Sequence, residues 1–200
     1  DPEKLLGFID QHVDIVCVSV GWDRQFEEIC RLLNRIPKRI PVIVGGYKAT
    51  EKVEELFSRC PHINMIVRGE GEETIKDILR FKPMKEILGI SYRQGNQVVH
   101  NANRPFSPVE SIVCPDRSLR TGKYAFSLNG IKVANLTFDA VLSSRGCPFN
   151  CKFCTFSLNP LGQKRNYEAR SAKSVVDEIQ MLEAQVILLS DDNFFAIPQR

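Results

Sequence analysis

Residues 14–46, "DIVCVSVGWDRQFEEICRLLNRIPKRIPVIVGG", decide the fold class. The runs at 14–20 and 41–46 are short, apolar and rich in β-branched residues, which is typical of strands buried on both faces of a parallel sheet. Between them, segment 23–36 has the apolar period of a helix, with Phe26, Ile29, Cys30, Leu32 and Leu33 on one face. A strand, a helix and a second strand joined by short loops predict an α/β protein with a parallel sheet.

The same alternation extends on both sides of this unit. Upstream, segment 1–13 places an aspartate before a proline and predicts a helix. Downstream, the pattern predicts a helix, a strand and a helix at 50–60, 63–70 and 71–81, with Thr50 as the cap of the first helix. Because the pattern begins on a helix, we expect a leading strand to be missing. Residues 1–84 therefore predict a Rossmann-like domain that lacks its start.

The pattern changes near residue 82. Segment 87–101 predicts a β-hairpin, since two runs rich in Ile, Tyr and Val flank "QGNQ". The segment that follows is rich in Pro and Arg and has little periodicity, which is typical of a linker over the surface. We therefore group residues 85–131 as hairpin and linker.

Alternation resumes over residues 132–200. Segment 138–144 predicts a strand, and 186–196 predicts a buried strand that ends in two acids and an amide. Segment 171–185 between them predicts a helix capped by Ser171, with Val175, Val176, Ile179 and Leu182 on its inner face.

The composition excludes several classes of protein. The chain is 43% hydrophobic and 26% charged, and its net charge of +3 is spread out, so no basic block predicts a nucleic-acid partner. No apolar run is long enough for a transmembrane helix, and the first residues lack the pattern of a signal peptide. We therefore expect a cytoplasmic, reducing location. There, scattered cysteines are typical of core packing, and we expect this of Cys17, Cys30, Cys60 and Cys114.

The other three cysteines are clustered in "SSRGCPFNCKFCTFS", residues 143–157, as Cys147, Cys151 and Cys154. A redox pair would use Cys151 and Cys154 and would leave Cys147 unexplained. A structural zinc site needs four ligands, and neither a second cysteine pair nor a nearby histidine follows. Three thiolates can instead hold a [4Fe–4S] cluster through three irons, which leaves the fourth iron open to another ligand.

The spacing Cys147-x3-Cys151-x2-Cys154, with Phe153 before the last cysteine, is similar to the cluster motif of the radical S-adenosylmethionine (SAM) enzymes. The resemblance implies a full or partial βα barrel whose first strand precedes the loop, so residues 132–200 would begin a truncated barrel. It also implies a [4Fe–4S] cluster whose open iron is chelated by SAM, and reductive cleavage of SAM to a 5′-deoxyadenosyl radical. Phe153 is then expected near the adenine of SAM. A flavodoxin or ferredoxin is expected as the external electron donor.

The stretch "VILLSDDNFF", 186–195, would end the second barrel strand, where such folds bind ligands. The resemblance makes Asp191, Asp192 and Asn193 candidate SAM contacts. An acidic pair followed by Asn-Phe, in place of Gly-Gly-Glu, is similar to the cobalamin-associated branch of the family. "RNYEARSAKSVVDEI" resembles that branch too, through Arg170 and Glu178. The alternative is a buried strand followed by an acidic turn.

The first half of the chain resembles the cobalamin-binding domain that is often fused ahead of radical SAM barrels. The likeness rests on "SVGW", "VGGYKAT" and "VRGEGEET", which follow three predicted strands at the edge where open α/β sheets bind ligands. It makes cobalamin candidates of Ser19, Gly21, Trp22, Gly45, Gly46, Gly69, Glu70 and Gly71. The alternative is that the glycines only form tight turns. No Gly-x-Gly-x-x-Gly or Gly-Lys-Ser/Thr loop predicts a nucleotide site.

The Asp-x-His-x-x-Gly motif that supplies a cobalt ligand in some cobalamin domains is absent from this sequence. His12, in "DQHVD", is predicted to end a helix instead. Three explanations stay open: the motif lies upstream, cobalamin binds without a histidine ligand, or the domain binds no cobalamin.

These resemblances predict a radical SAM enzyme, with cobalamin, that methylates, rearranges or cyclises a small molecule at an unactivated carbon. The substrate pocket is expected beyond the chain end. One alternative is a methylthiotransferase, which carries three further cluster cysteines in its first domain. Cys17, Cys30 and Cys60 would be the candidates, but they lie in a predicted strand and predicted helices. Another is a cobalamin or redox sensor without catalysis.

Overall fold

The computed structural model describes residues 2–120, 122, 124–128, 131–154 and 159–196. The chain divides into two compact units. The first consists of Asp1–Phe106 with Asn159–Gln163, and the second of Ser107–Leu158 with Lys164–Arg200. No helix in the described part of the chain is long and apolar enough to cross a membrane.

The first unit is built on a five-stranded sheet of order β1-β2-β3-β4-β5. Its strands are β1 (Val16–Ser19), β2 (Val42–Gly45), β3 (Met65–Val67), β4 (Ile90–Gln94) and β5 (Gln97–His100). The first three are parallel, with Cys17 opposite Ile43 and Ile43 opposite Met65. The predicted parallel α/β architecture is therefore confirmed.

Helices precede, connect and follow the three parallel strands, as the apolar period predicts. They are α1 (Pro2–His12), α2 (Asp23–Leu33), α3 (Tyr47–Glu51), α4 (Val53–Arg59) and α5 (Glu72–Leu79). The single helix predicted over 50–60 is thus two helices with a break at Lys52. Helix α3 begins directly after Gly46, so Thr50 lies inside it and the prediction of Thr50 as a cap is wrong.

The sheet has a large core on one face and a small core on the other. In the large core, Phe26, Leu33 and Phe57 pack with Val42, Val44 and Ile66. The small core contains Ile43, Met65, Val67, Ile87, Ile90 and Tyr92, with Ile78 of α5 packed against it. The small core does not reach β1, whose Cys17 is exposed. The prediction that 14–20 is buried on both faces is therefore wrong, because β1 lies at the sheet edge in the described chain.

The hairpin predicted at 87–101 is confirmed as β4 and β5, which pair antiparallel. The sequence grouped it with the linker, whereas β3 pairs antiparallel with β4 and joins the hairpin to the first sheet. Three 3₁₀ helices occur in the described chain, at Met84–Glu86, Val109–Ser111 and Arg117–Leu119. Val109 is fully buried, so the segment predicted as a surface linker contributes to a core.

The second unit contains a three-stranded sheet of order β10-β7-β6 and a two-stranded sheet of β8 and β9. The elements are β6 (Tyr124–Leu128), β7 (Ile131–Val141), β8 (Ser144–Arg145), β9 (Glu168–Ala169), α6 (Ala172–Gln180) and β10 (Val186–Leu189). Strands β7 and β10 are parallel, with Val141 opposite Leu189. The predicted strand–helix–strand order is confirmed, and Ser171 caps α6 because its Oγ accepts the Ser174 N–H at 3.2 Å.

Three predictions for this unit are wrong. The strand predicted as buried over 186–196 ends at Leu189, and Leu188 is 57% exposed because β10 is an edge strand of the described sheet. Val176 is exposed, whereas Glu178 lies on the inner side of α6. Strand β6 falls in the segment predicted as a linker. The Asn-Gly pair in "YAFSLNGIKV" is a hairpin signal that could have predicted it.

Candidate functional site

The cysteine loop follows the carboxyl end of β7, as predicted. Cys147 and Cys154 are half-buried and Cys151 is exposed. The N–H of Cys154 donates to the Cys151 oxygen at 3.0 Å, which forms a turn between these two cysteines. Phe153 is 91% exposed. No three His, Cys, Asp or Glu side chains in the described ranges are arranged to hold a metal ion, so the loop carries the three thiols without bringing all of them to one point.

The donor set of this loop fits an iron–sulfur cluster by its chemistry. Three thiols lie within eight residues of one loop, and soft thiolate ligands select iron–sulfur clusters, zinc or copper(I). The Asn193 amide nitrogen lies 4.0 Å from the Cys147 sulfur, where it can act as a weak donor. Three thiols rather than four leave one coordination position for a further ligand.

The residues after β10 contact the start of the cysteine loop. Asp191 Oδ1 accepts hydrogen bonds from the Ser143 N–H at 3.1 Å and from the Ser144 hydroxyl at 2.5 Å. Asp192 Oδ2 accepts the N–H of Gly146 at 2.9 Å. The structure thus brings Asp191, Asp192 and Asn193, which were predicted to contact SAM, to the same loop as the cysteines. In each of these contacts the two residues are separated by 46 to 48 positions in the sequence.

Gly146, directly before the first cysteine, occupies a position that other residues fit badly. Its φ is +79°, and a Cβ there would lie 2.4 Å from the backbone oxygen of Asn166 and 2.8 Å from that of Arg165. The returning chain therefore packs against the loop start. A left-handed φ and this close approach both favour glycine.

A buried charge network lies beside the same strand end. Glu178 is 2% exposed and forms ion pairs with Arg170 and Arg117, the latter at 2.7 Å. Arg170 also donates to the Leu142 oxygen at 2.8 Å, and Arg117 to the Ala140 oxygen at 2.8 Å. The two guanidinium groups therefore connect Glu178 to the backbone at the end of β7.

Burial alone raises the pKa of Glu178, but hydrogen bonds from Arg170, Arg117 and Cys114 outweigh it and hold the pKa below its ordinary value. Burial also raises the pKa of the Cys114 thiol, which donates to Glu178 at 3.3 Å. The resemblance pointed to Arg170 and Glu178, but sequence reasoning missed Arg117. No local pattern marks it, because it lies in the segment predicted as a linker.

In the first unit, the loops after β1, β2 and β3 meet at the carboxyl edge of the sheet, as predicted. Gly46 has a φ of +98°, and a Cβ there would lie 2.8 Å from the Val20 oxygen and 2.9 Å from the Ser19 hydroxyl. Thr50 donates to the Gly46 oxygen at 3.0 Å and accepts the Gly69 N–H at 3.0 Å. Thr50 therefore joins the second and third loops, a role that sequence reasoning missed.

The other predicted cobalamin residues lie along this edge. Ser19 is exposed and Trp22 is 66% exposed, whereas Gly21, Gly45, Gly69, Glu70 and Gly71 are half-buried. A Cβ on Gly21 would meet no atom within 4 Å, so a flat ligand can approach the backbone there. Lys48 follows the second loop and is paired with Asp23 at 2.7 Å and with Glu51 at 2.5 Å.

The side chain of His12 lies away from this edge. His12 is the last residue of α1 and precedes β1, whereas the three loops follow their strands. Its ring centroid is 5.0 Å from that of Phe8, and its prediction as a helix-end residue is confirmed.

The scattered cysteines of the first unit lie in a strand and in or next to helices. Cys30 of α2 and Cys60, which follows α4, are buried in the large core, and the Cys60 sulfur is 3.8 Å from the Cys30 oxygen. Burial, with a contribution from Cys30, raises the pKa of Cys60 to about 12. Cys30 and Cys60 pack as core residues, as predicted, and not in the strand-end loops. The prediction of core packing is wrong for Cys17, which is exposed because β1 lies at the sheet edge in the described chain, and Cys114 of the second unit is only half-buried.

Comparison with known proteins extends this geometry. Residues 1–79 match the B12 binding domain family. Over 192 residues the chain is 30% identical to an uncharacterized methyltransferase of Pyrococcus horikoshii. The aligned region covers 90% of this chain and 40% of that protein. The chain is 28% identical over 164 residues to the anaerobic magnesium-protoporphyrin IX monomethyl ester cyclase of Cereibacter sphaeroides, covering 78% of this chain and 25% of the cyclase.

Among solved structures, the chain is similar to TsrM, a radical SAM methyltransferase from Kitasatospora setae with cobalamin and a [4Fe–4S] cluster bound. The superposition covers 97% of this chain and 40% of TsrM. The TM-score is 0.65 at 19% sequence identity. The chain has the fold of the part of TsrM that it matches. The predicted resemblance to radical SAM enzymes with a cobalamin-binding domain is thereby confirmed. The chain spans 40% or less of the length of each of these three proteins.

Proposed function

We propose that this chain belongs to a cobalamin-dependent radical SAM enzyme that methylates or cyclises a small-molecule substrate. The observation that carries the proposal is the cysteine loop, which leaves β7 and is held by the end of its parallel neighbour β10. The match of residues 1–79 to the B12 binding domain supports the cobalamin part. The methyltransferase and cyclase relatives support the reaction class.

The second unit would hold the cluster and SAM. A bound [4Fe–4S] cluster supplies the electron that cleaves SAM. Cys147, Cys151 and Cys154 would hold the cluster as thiolates, and the Asn193 amide would donate toward the Cys147 sulfur, from which it lies 4.0 Å away. Asp192, Asn193 and Phe153 are the proposed SAM contacts, and Asp191 is the fourth residue that the sequence put forward for this role. For Phe153, its exposed ring is an apolar surface on which an adenine can stack.

The first unit would hold cobalamin, which supplies a centre that carries the methyl group. The backbone at Gly21, Gly45, Gly46, Gly69 and Gly71 lets a large flat ligand approach, while Ser19, Trp22 and Glu70 offer polar and aromatic contacts. Since His12 precedes β1 at the opposite edge of the sheet, it would not be among the residues that hold cobalamin. An external electron donor such as flavodoxin or ferredoxin completes the proposed system.

Anaerobic purification followed by reconstitution with iron, sulfide and hydroxocobalamin tests the proposal. The ultraviolet–visible spectrum should show one cluster and one corrin per chain, and a strong reductant should yield 5′-deoxyadenosine from SAM. Replacing Cys147, Cys151 or Cys154 by Ala should abolish the cluster, because a three-thiolate site has no spare ligand. Cys114→Ala is the matched control and should keep the cluster.

Two outcomes would contradict the assignment. Iron retained by the Cys151→Ala protein would mean that other side chains hold the metal. Two clusters per chain would instead indicate a methylthiotransferase, although the burial of Cys30 and Cys60 argues against a second cluster in the first unit.

A further inference from the structure

The carboxylate of Asp191 is engaged by two serines at the start of the cysteine loop. Its Oδ1 accepts the Ser143 N–H, the Ser143 hydroxyl at 2.8 Å and the Ser144 hydroxyl, and its Oδ2 also lies 2.8 Å from the Ser143 hydroxyl. Three donor hydrogens, from one N–H and two hydroxyls, thus point at this carboxylate, mainly at Oδ1, so that oxygen is engaged within the protein rather than turned to a ligand.

The two serines need this acceptor because they are buried. Ser143 and Ser144 are 1% and 0% exposed, and a buried hydroxyl without an acceptor costs stability. A bond to an ionised acceptor is stronger than one between neutral groups. The Asp191 carboxylate is therefore a strong local constraint on the backbone between β7 and the first cysteine.

Asp192 continues the same contact along the chain. Its carboxylate accepts the N–H of Gly146, the residue before Cys147, and Gly146 itself packs against the backbone of Arg165 and Asn166. Two consecutive carboxylates thus hold loop positions 143, 144 and 146. The anchored segment ends directly at the first thiol.

We propose that Asp191 is a positioning residue: it fixes the start of the cysteine loop, assisted by Asp192, and acts on the cluster through that loop rather than by contacting SAM. This inference rests on the proposed function, because it takes the loop to be the cluster loop. Among the proposed SAM contacts, it leaves Asp192, Asn193 and Phe153 as the direct ones.

The test compares the reconstituted parent protein with Asp191→Ala, Asp191→Asn and a control. The control is Asp177→Asn, which removes an exposed carboxylate of α6 that pairs with exposed Lys173 at 2.6 Å. The readouts are iron per chain, the rate of iron loss to a chelator, and the SAM affinity of the cluster-loaded protein. Circular dichroism reports whether each variant is folded.

A positioning role predicts that Asp191→Ala loses iron to the chelator about tenfold faster, since hydrogen bonds to a charged group are lost. Asp191→Asn keeps one acceptor oxygen and should be intermediate. The cluster-loaded fraction of both variants should bind SAM as the parent does. Normal iron retention with lost SAM affinity would overturn the inference and make Asp191 a direct ligand.

The serines provide a second, milder probe if Asp191→Ala does not fold. Ser144→Ala removes one donor to the carboxylate and should also speed iron loss, and combining it with Asp191→Asn should give less than the sum of the two effects. Strictly additive effects would overturn the inference. If the parent protein binds no cluster at all, the proposed function fails instead, so the two failures are distinguishable.

Discussion

At the scale of single residues, Gly46 has two reasons to be glycine. The sequence predicted it as a place where a large ligand approaches the backbone. The structure adds that the loop after β1 packs against it, with the Val20 oxygen 2.8 Å from the position of a Cβ. The same residue turns the chain from β2 directly into α3 at a φ of +98°.

Gly46→Ala should therefore be more costly than an ordinary glycine replacement. We expect it to lower the free energy of unfolding by about 3 kcal/mol, from the left-handed φ and the displaced loop together. Gly95→Ala is the matched control, because Gly95 has a φ of +61° but open space around it, and should cost about 1 kcal/mol. Urea denaturation measures both, and equal losses would contradict the crowding at Gly46.

Residue patterns predicted the cysteine loop but not its supports. The spacing of Cys147, Cys151 and Cys154 is local, so their place on one loop can be read from the sequence. Arg117 carries no such signal, since its ion pair with Glu178 joins positions 61 residues apart. Whether Asp191 faces a ligand or the chain itself likewise depends on contacts that sequence spacing does not specify.

At the scale of elements, Arg68 attaches the hairpin of β4 and β5 to the end of β3. It is 8% exposed and donates to the Asn103 side chain at 2.7 Å, to the Ile90 oxygen at 3.1 Å and to the Asn101 oxygen. Burial lowers its pKa. These acceptors are neutral, so the guanidinium contributes through hydrogen bonds at both ends of the hairpin.

Arg68→Met should loosen this hairpin more than the rest of the sheet. The change keeps a long side chain but removes the arginine donors to the Asn101 oxygen and the Asn103 side chain, while the Ile90 oxygen keeps the Asn101 N–H as a donor, and we expect a loss of about 2 kcal/mol. Hydrogen exchange should accelerate over 90–100 while β2 stays protected. Arg24→Met, at an exposed arginine of α2, should change neither region. Uniform acceleration across both strands would contradict a local attachment.

The sequence predicted whether a segment is a helix or a strand where its apolar periodicity is strong. It did not predict where these elements end or how deeply they are buried. The helical period of α2 and the apolar run of β2 follow from side-chain geometry alone. The break between α3 and α4 interrupts no apolar pattern, so the sequence predicted one helix. Strands β1 and β10 have the composition of buried strands, but each lies at an edge of its described sheet.

At the scale of the whole molecule, several carboxyl groups have pKa values below their ordinary range. A hydrogen bond from Arg104 lowers the pKa of Asp77. For Asp139, burial raises the pKa, but a hydrogen bond from Arg120 and further contacts lower it by more, and Glu178 behaves in the same way with Arg170. Since the unfolded chain then binds more protons, these groups stabilise the fold above their unfolded pKa values.

The fold should therefore be sensitive to acid. Stability should be nearly constant from pH 7 to about pH 5 and should fall as the pH drops below about 4.3, the ordinary pKa of glutamate, toward the folded pKa values. Glu178→Gln should be less stable at pH 7 by about 3 kcal/mol and less dependent on pH below 5, because buried Arg170 loses its paired carboxylate and half-buried Arg117 keeps only Asp139.

Urea midpoints measured from pH 3 to pH 7 check this expectation. Asp177→Asn is the control on the same helix, since its exposed ion pair with Lys173 contributes about 0.5 kcal/mol at most. A Glu178→Gln protein with the same acid dependence as the parent would show that Glu178 is not one of the groups that set it.

The sequence by itself determined the alternation of strands and helices, the two α/β segments and the three thiols on one loop, because each depends on residues near one another in the chain. Only the tertiary structure decided that Asp191 accepts from Ser143 and Ser144, that Glu178 joins Arg170 to Arg117, and which strands are exposed. The physical reason is that burial and ion pairing depend on which distant elements become neighbours, and local spacing does not encode that choice.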